Sequence, residues 1–517
     1  MLTVGSNLMQ DNYAPTRTEW AYGRFRKTPG TIRGRMVSYS ARMNSSDANA
    51  DLWFPIVSGS EPAVLGAVGK LLTERGKSGF PSWAAITPQE AAKRCRVPEG
   101  EVPHFVENLE KLADRLAEAN SPLVVGGFQG ANGDATVFLA HTITKMLNGD
   151  VKTFEPDALV GSSKSGGGMF LNDSEAASAL SSAKLVVVDG VDLVYRFPWL
   201  SGDFEKAKKR VVLSTMPNET TAKATHRIPV RTWMEDWGDL LVKSPEGDWY
   251  GLCQPAVRNQ VSEAVSRLGF YLEVAAAAGL TVGSGETSAR KFLQGDKEQA
   301  VWEDMLIRGG SWKQEDDAIY PHPAAYPPPV APNAGTAPAG YNVFADLQPL
   351  QVTSLGEVSE GTTFLVLPTH LGDGEMADRP WLQELPDTMT TVVWDSWVEI
   401  NEHRAKREGI ARHDIVEVTV GGKTIKGSAY PSPFIHPDAV GIPSGRGQTT
   451  PLNDAFVNIG WVSGGSNPKT LLDGKPGAGG FFPSAAANAS LKKGAGSRLL
   501  TTFDQRVYNL PRHILPD

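Results

Sequence analysis

Cysteine is almost missing from this chain: 517 residues contain only Cys95 and Cys253. An iron–sulfur cluster takes about four cysteine-type ligands and a thiolate zinc site also takes four, so the chain excludes both from its own residues. The two cysteines are read as buried free thiols, with a disulfide as the alternative. The nine histidines never fall as H-x3-H or H-E-x-x-H, and no G-x-S-x-G elbow is present. No apolar run reaches the roughly 18 residues of a membrane-spanning helix. The most apolar stretches, AVLGAVGKLL from Ala63 and LEVAAAAGL from Leu272, are read as buried helices. Basic excess is lacking too: 50 Lys and Arg against 58 Asp and Glu leave a net charge of −8. No basic field is available for a phosphate backbone, so nucleic acid is not expected as a partner. The opening MLTVGSNLMQDNYAPTRTEW has no basic stretch followed by an apolar one, and no signal peptide is read in it. Export would then rest on a missing leader, a cleavage already made, or a carrier partner.

What is present is an ordinary globular balance, 41% hydrophobic and 21% charged, which excludes a chain disordered throughout. The length points to several domains. Gly and Pro, 53 and 36 residues, suit a loop-rich α/β protein better than a helical bundle. Residues 1–50 are polar and aperiodic and read as an extended arm. From 51 to 318 short β-branched runs alternate with helical stretches. Leu123–Gly127 (LVVGG), Leu185–Asp189 (LVVVD) and Arg210–Ser214 (RVVLS) read as central strands of a parallel sheet, apolar on both faces. Glu107–Ala119 places Leu109, Leu112, Ala113 and Leu116 at helical spacing, and Asp134–Leu147 reads as a second helix. Strand–helix–strand alternation predicts right-handed crossovers and a Rossmann-like region.

Residues 319–341, rich in Pro, Ala and Gly, read as a polyproline-like connector. Residues 342–400 read as remaining α/β structure, with Phe364–Pro368 (FLVLP) one more parallel strand and Val392–Ile400 an extended segment. Asn401 is an N-cap for a short helix over Glu402–Glu408, with Gly409 at its C′ position. A hairpin follows, Ile415–Val420 and Lys423–Tyr430 about Gly421-Gly422, with Val416, Val418 and Val420 on one face. Residues 401–517 are therefore expected to form a β-barrel-like domain and a tail.

Chemistry-bearing constellations are few. Gly161–Gly168 (GSSKSGGG) has Lys164 before the glycines, the wrong order for a phosphate loop, and reads as a surface loop. Gly126–Gly130 follows a strand but lacks the full dinucleotide spacing, so a tight turn is the plainer reading. His436 in IHPD reads as a satisfied turn histidine. Asp373, Glu375, Glu384 and Asp387 cluster in sequence and read as solvated acids rather than an acid/base set. Composition and spacing assign no catalytic, cofactor-binding or metal residue.

Three segments resemble the molybdopterin oxidoreductase superfamily. They are MVSYSARMNSSDANADLWFPIVSGSEPAVLGAVGKLL (36–72), TMPNETTAKATHRIPVRTWMEDWGD (215–239), and the run from Asp373 to Gln448 that includes DGEMADRPWLQELPD and GIPSGRGQ. Asn467-Pro468 in SGGSNPKTLL matches a familiar tail. The resemblance implies Rossmann-like parallel-sheet domains and a C-terminal β-barrel-like domain. The departures from it matter. Active relatives carry a cysteine-rich iron–sulfur region and a metal-binding residue upstream of the first segment, where this chain has some 35 residues and no cysteine. The family's Pro-Gly-Thr-Asp-like turn here reads Ser58-Gly59-Ser60-Glu61.

The pattern is most similar to degenerate, cofactor-less subunits: the molybdopterin-like part of the bacterial quinone reductase complex and the N-terminal half of the iron–sulfur subunit of alternative complex III. That similarity implies a non-catalytic structural subunit, with no activity alone, of a quinol:electron-acceptor oxidoreductase complex. Its partners would be a separate iron–sulfur protein, a multihaem cytochrome c and polytopic quinol-interacting membrane subunits. Iron–sulfur clusters and haem would sit in those partners, with no cofactor in this chain. The expected place is peripheral to the bacterial inner membrane, on the periplasmic face. The alternative implied is half of a split molybdopterin-dependent oxidoreductase, its metal ligand and cluster on another chain. A pterin dinucleotide would then contact Ser58–Glu61, Thr215–Glu219 and Ser444–Gln448. A third reading is a nucleotide-binding protein using the Gly126–Gly130 turn.

Overall fold

The computed structural model describes residues 1–9, 15–26, 33–127, 130, 132–148, 173–244, 247–312, 352–372, 376, 379–448, 465–476 and 482–502. The first unit starts at the N-terminus. In chain order it contains β1 (Leu2–Val4), α1 (Pro15–Arg26), β2 (Val37–Ser40), α2 (Ser45–Ala48), β3 (Leu52–Pro55), α3 (Glu61–Glu74), α4 (Pro88–Arg94), α5 (Val102–Glu118), β4 (Val124–Gly126) and α6 (Gly133–Asn148). All four strands are parallel, in the order β3-β2-β1-β4.

The arm expected over 1–50 is therefore corrected. Leu2 and Val4 are wholly buried in β1, which hydrogen-bonds on both sides to strands far along the chain. Three residues carry too little pattern to announce a strand; burial between two neighbours makes one. The helix read at 107–119 is observed as α5, with Phe105, Leu109, Leu112, Ala113 and Leu116 buried along one face. It packs on α3, whose residues from Glu61 to Gly69 are all buried.

The second unit holds α7 (Asp173–Ser182), β5 (Leu185–Asp189), α8 (Leu193–Arg196), α9 (Ser201–Lys206), β6 (Lys209–Ser214), α10 (Glu219–Ala222) and β7 (His226–Pro229). Its strands are parallel in the order β5-β6-β7, so β6 is central as expected. Among the described residues β5 is an edge, and Leu185 and Val187 are about half exposed. A third unit departs from the Rossmann-like reading of 51–318. It is an antiparallel sheet of β8 (Gly238–Ser244), β9 (Gly247–Cys253) and β10 (Gly310–Trp312), with α11 (Arg267–Ala277), α12 (Ala289–Gln294) and α13 (Gln299–Arg308) between the last two strands. Its core centres on Leu252, Leu293 and Trp302.

The last unit is a closed six-stranded barrel, β11-β16-β13-β15-β14-β17. In chain order it comprises β11 (Thr362–Leu367), α14 (Pro380–Gln383), β12 (Val392–Val393), β13 (Trp397–Asn401), α15 (Glu402–Arg407), β14 (Asp414–Val420), β15 (Lys423–Ser432), β16 (Ala439–Pro443), β17 (Ala485–Ser497) and β18 (Thr501–Thr502). Strand β18 pairs with β12 outside the barrel. The boundary expected at 401 moves back to 362, because β11 pairs with β16 and β17, and β13 with β15 and β16. The connector expected at 319–341 lies outside the described residues.

Local readings agree with the structure here. Asn401 caps α15 by accepting from His403 N and Arg404 N, and Gly409 follows with φ +65°. Gly421 and Gly422, at φ +55° and +81°, close the β14–β15 hairpin as a primed turn demands. The first unit is stitched to the barrel by backbone pairing: Met43 N donates to Phe434 O and His436 N to Ala41 O.

Candidate functional site

In an open parallel sheet, ligands gather at the carboxyl ends of the strands where the strand order reverses. In the first unit that point lies between β1 and β4. A narrow cavity of about 60 Å³ opens there, walled by Gly5 and Asn7 after β1, Ser40 to Asn44 after β2, Ser58 and Glu61 after β3, and Gly130 after β4. The barrel strand β11 closes it with Leu365 to Leu367.

Glu61 dominates this cavity. It is the first residue of α3 and is 4% exposed. Its carboxylate accepts from Gly59 N at 2.6 Å. Burial lifts its pKa to about 7, against the pull of the backbone N–H groups of Glu61 and Gly59. Glycine is needed around it: a Cβ on Gly130 would stand 3.0 Å from both carboxylate oxygens, and one on Gly5 3.1 Å from Glu61 Cγ. A helix N-terminus at a sheet mouth is a natural phosphate site. Here the chain's own carboxylate takes those N–H groups and lies against Gly130.

Beside the cavity lies a buried charge network that the sequence reading did not assemble. Arg42 Nη2 is 3.0 Å from Glu399 Oε2 and 3.8 Å from Asp387 Oδ2, with side-chain exposures of 8%, 1% and 3%. Burial works against the Arg42 charge, but Glu399 and Asp387 outweigh it and raise its pKa. Asp387 also accepts from Met389 N, Thr390 N and Thr390 Oγ1. Asp47 accepts from Ser38, from Ser40 Oγ at 2.7 Å and from Asn44 N at 3.0 Å, yet burial still raises its pKa.

The second and third loops singled out in sequence meet about α14. Arg379 Nη2 donates to Thr215 Oγ1 at 2.7 Å, and Gln383 Nε2, one turn on, to Gly445 O at 2.9 Å. Tyr195 joins them from α8: its hydroxyl donates to Arg446 O and accepts from Gly445 N. A second cavity, about 270 Å³, sits at the ends of β6 and β7, lined by Ser214–Pro217, Thr221 and Arg227–Pro229 among others. The Ser58–Glu61 loop stays apart, at the first cavity.

His436 is buried, its Nδ1 accepts from Asp438 N at 3.1 Å, and burial lowers its pKa to about 4, as a satisfied turn histidine requires. Asp387 is buried and Glu384 exposed, so these two acids do not converge; Asp373 and Glu375 lie outside the described residues, as does Gly161–Gly168. Cys95 and Cys253 are free thiols, Cys95 buried with its pKa pushed up to about 12 by burial, and Cys253 half-buried.

No family model matches the sequence, and no curated protein matches it. The structure is similar to acetylene hydratase from Pelobacter acetylenicus, with a TM-score of 0.55 and 14% identity, covering 95% of this chain and 77% of that one. The fold is molybdopterin-oxidoreductase-like. At that identity the likeness is one of fold alone. Among the described residues no group of three His, Cys, Asp or Glu could hold a metal ion. Cys95 points into the core, 4.0 Å from Ser60 O. The first cavity, at about 60 Å³, is several-fold below the roughly 300 Å³ of the smallest usual small-molecule sites. With Glu61 on its helix N-terminus, the mouth of the first sheet does not fit a phosphate-bearing dinucleotide.

Proposed function

We propose that this chain is a non-catalytic structural subunit of a membrane-associated quinol/quinone electron-transfer complex, supporting a separate iron–sulfur subunit and cytochrome c subunits. The observation that carries this reading is the first cavity: the body of a redox-enzyme fold is retained, while its sheet mouth is small and occupied by Glu61 and its glycine cradle. A well-packed α/β and barrel body with internally paired charges suits a platform that buries a partner's surface. Partners with iron–sulfur clusters, multihaem cytochrome c and quinol-interacting membrane subunits, and a place on the periplasmic face of the inner membrane, follow from the sequence resemblance. Among the described residues no helix is long and apolar enough to cross a membrane, so on this reading the partners hold the chain there.

The test is purification of the native complex, native mass spectrometry for its subunits, and metal and pterin analysis of this chain. Co-purification with iron–sulfur and cytochrome subunits, and neither molybdenum, tungsten nor pterin on this chain, is the expected result. Stoichiometric metal with pterin on this chain would overturn it in favour of a split molybdopterin-dependent oxidoreductase. One observation favours that second reading: the Ser444–Gln448 loop carries a buried arginine with no acceptor.

A further inference from the structure

Among the described residues Arg446 is the one arginine with all three guanidinium nitrogens buried and unpartnered. It is 0% exposed, and Nε, Nη1 and Nη2 all lack a hydrogen-bond partner. The backbone on either side of it is firmly bonded. The Arg446 carbonyl accepts from the Tyr195 hydroxyl, Gly445 donates to the same hydroxyl, and Gln383 holds Gly445 O. Ser444 N donates to Leu367 O, and Ser444 Oγ to Gly372 O. Gly445 and Gly447 take φ +90° and +83°, and a side chain at 447 would collide with the backbone of Ser466 and Asn467. The loop is thus fixed by the second unit, the segment before α14 and the segment after 464. The arginine is not frayed; it is held where it is.

A buried guanidinium without an acceptor is costly, because five N–H donors leave water and gain nothing. The carboxylate that supports its charge, Asp387, already serves Thr390, Met389 and Arg42. Arg379, one turn before Gln383, donates to Thr215 at the carboxyl end of β6 and so ties α14 to the second unit. The junction is therefore rigid, and the Arg446 guanidinium in it lacks an acceptor. Guanidinium geometry matches two oxygens of a tetrahedral or planar oxyanion.

We propose that Arg446 is the anchor of a buried oxyanion site at the junction of the second unit and the barrel, and that its ligand is phosphate, either free or as the phosphate of a small monoester. The site is separate from the Glu61 cavity and does not depend on the scaffold reading.

The full-length chain purified without phosphate or sulfate is denatured in acid. The released fraction is assayed for inorganic phosphate, and by mass spectrometry for phosphate monoesters. One equivalent per chain is expected from the wild type, and none from Arg446→Met. Protein stripped of anion is then titrated with potassium phosphate against potassium chloride of equal ionic strength, following the thermal midpoint. A phosphate-specific rise is expected for the wild type, weakened at least about tenfold in apparent affinity in Arg446→Met. Arg446→Lys keeps the charge, and should keep weakened binding with the fold intact. In anion-free buffer Arg446→Met should be at least as stable as the wild type, an outcome that a purely structural arginine would not give. No released oxyanion together with no phosphate-specific stabilisation overturns the proposal, as does equal binding by Arg446→Met. The two assays also separate the sources. Free phosphate or a small monoester leaves the scaffold function standing, whereas a pterin in the released fraction overturns this proposal and the scaffold function together.

Discussion

Replacing Arg42 by methionine tests whether the first unit and the barrel are clamped by charge. The substitution keeps most of the side-chain volume and deletes the guanidinium. It leaves Glu399, 1% exposed, without its cation, and removes one partner from Asp387, 3% exposed. Breaking a buried pair from one side costs about 3–5 kcal/mol, because the remaining charge is stranded. Asp387 is partly protected, since Met389 N, Thr390 N and Thr390 Oγ1 still donate to it. Glu399 retains only the long contact from Trp397 Nε1, at 3.4 Å. Most of the loss should therefore come from Glu399, and Arg42→Met/Glu399→Leu should recover most of it. The assay is denaturant unfolding of the wild type, both single variants and the double, read as a coupling energy. A coupling of about 2 kcal/mol or more is expected, with the double variant more stable than Arg42→Met alone. Additive losses, or an Arg42→Met protein within about 0.5 kcal/mol of the wild type, would refute the clamp.

Other expectations follow from individual residues. Glu61 binds its proton more tightly folded than unfolded, so its contribution falls as pH rises from its ordinary value near 4.5 to about 7. Above that window Glu61→Gln should gain up to about 3 kcal/mol over the wild type, and the advantage should vanish below pH 4.5, as thermal midpoints at several pH values would show. His436 has the opposite sign: held neutral in the fold with a pKa near 4, it loses stability as pH falls below 6.5. His436→Gln should flatten the acid side of the stability curve without altering the alkaline side. Tyr195→Phe leaves Gly445 N and Arg446 O without their hydroxyl partner in a buried place, and should cost about 1–3 kcal/mol in the same unfolding assay. Cys253 should react with a thiol reagent in the native protein, whereas Cys95, buried and with its pKa pushed up to about 12, should react only on unfolding.

What could be read from the sequence was what neighbours along the chain determine. The face of α5 repeats every three to four residues, the Asn401 cap acts across three, and the Gly421-Gly422 turn acts across two, so each carries its own signal. Strand β1 carries none: three residues become a central strand because Val37 and Val124 lie on either side of Leu2, and both partners are remote. The barrel boundary was misplaced for the same reason. Phe364–Pro368 reads as a parallel strand, and β11 does pair in parallel with β16 while pairing antiparallel with β17, but β16 lies some 75 residues ahead, beyond the expected boundary at 401. The site depends still more on distance. Arg42 meets Glu399 across 357 residues, and Tyr195 meets the Arg446 carbonyl across 251. Arg42 stands beside the polar MNSS and Glu399 in the apolar WVEI, and neither setting names the other as its partner. Residue type alone does not say that a charge is buried; remote packing decides that. One local hint existed at Arg446, where flanking glycines at 445 and 447 are an unusual setting for a surface arginine. Two glycines at positive φ, in a loop tied down by Tyr195, Gln383 and Ser444, hold an arginine whose donors have no acceptor. A rigid loop that keeps such a charge buried and unpaired runs against the usual rule that buried polar groups are satisfied, and exceptions of that kind mark function more often than packing.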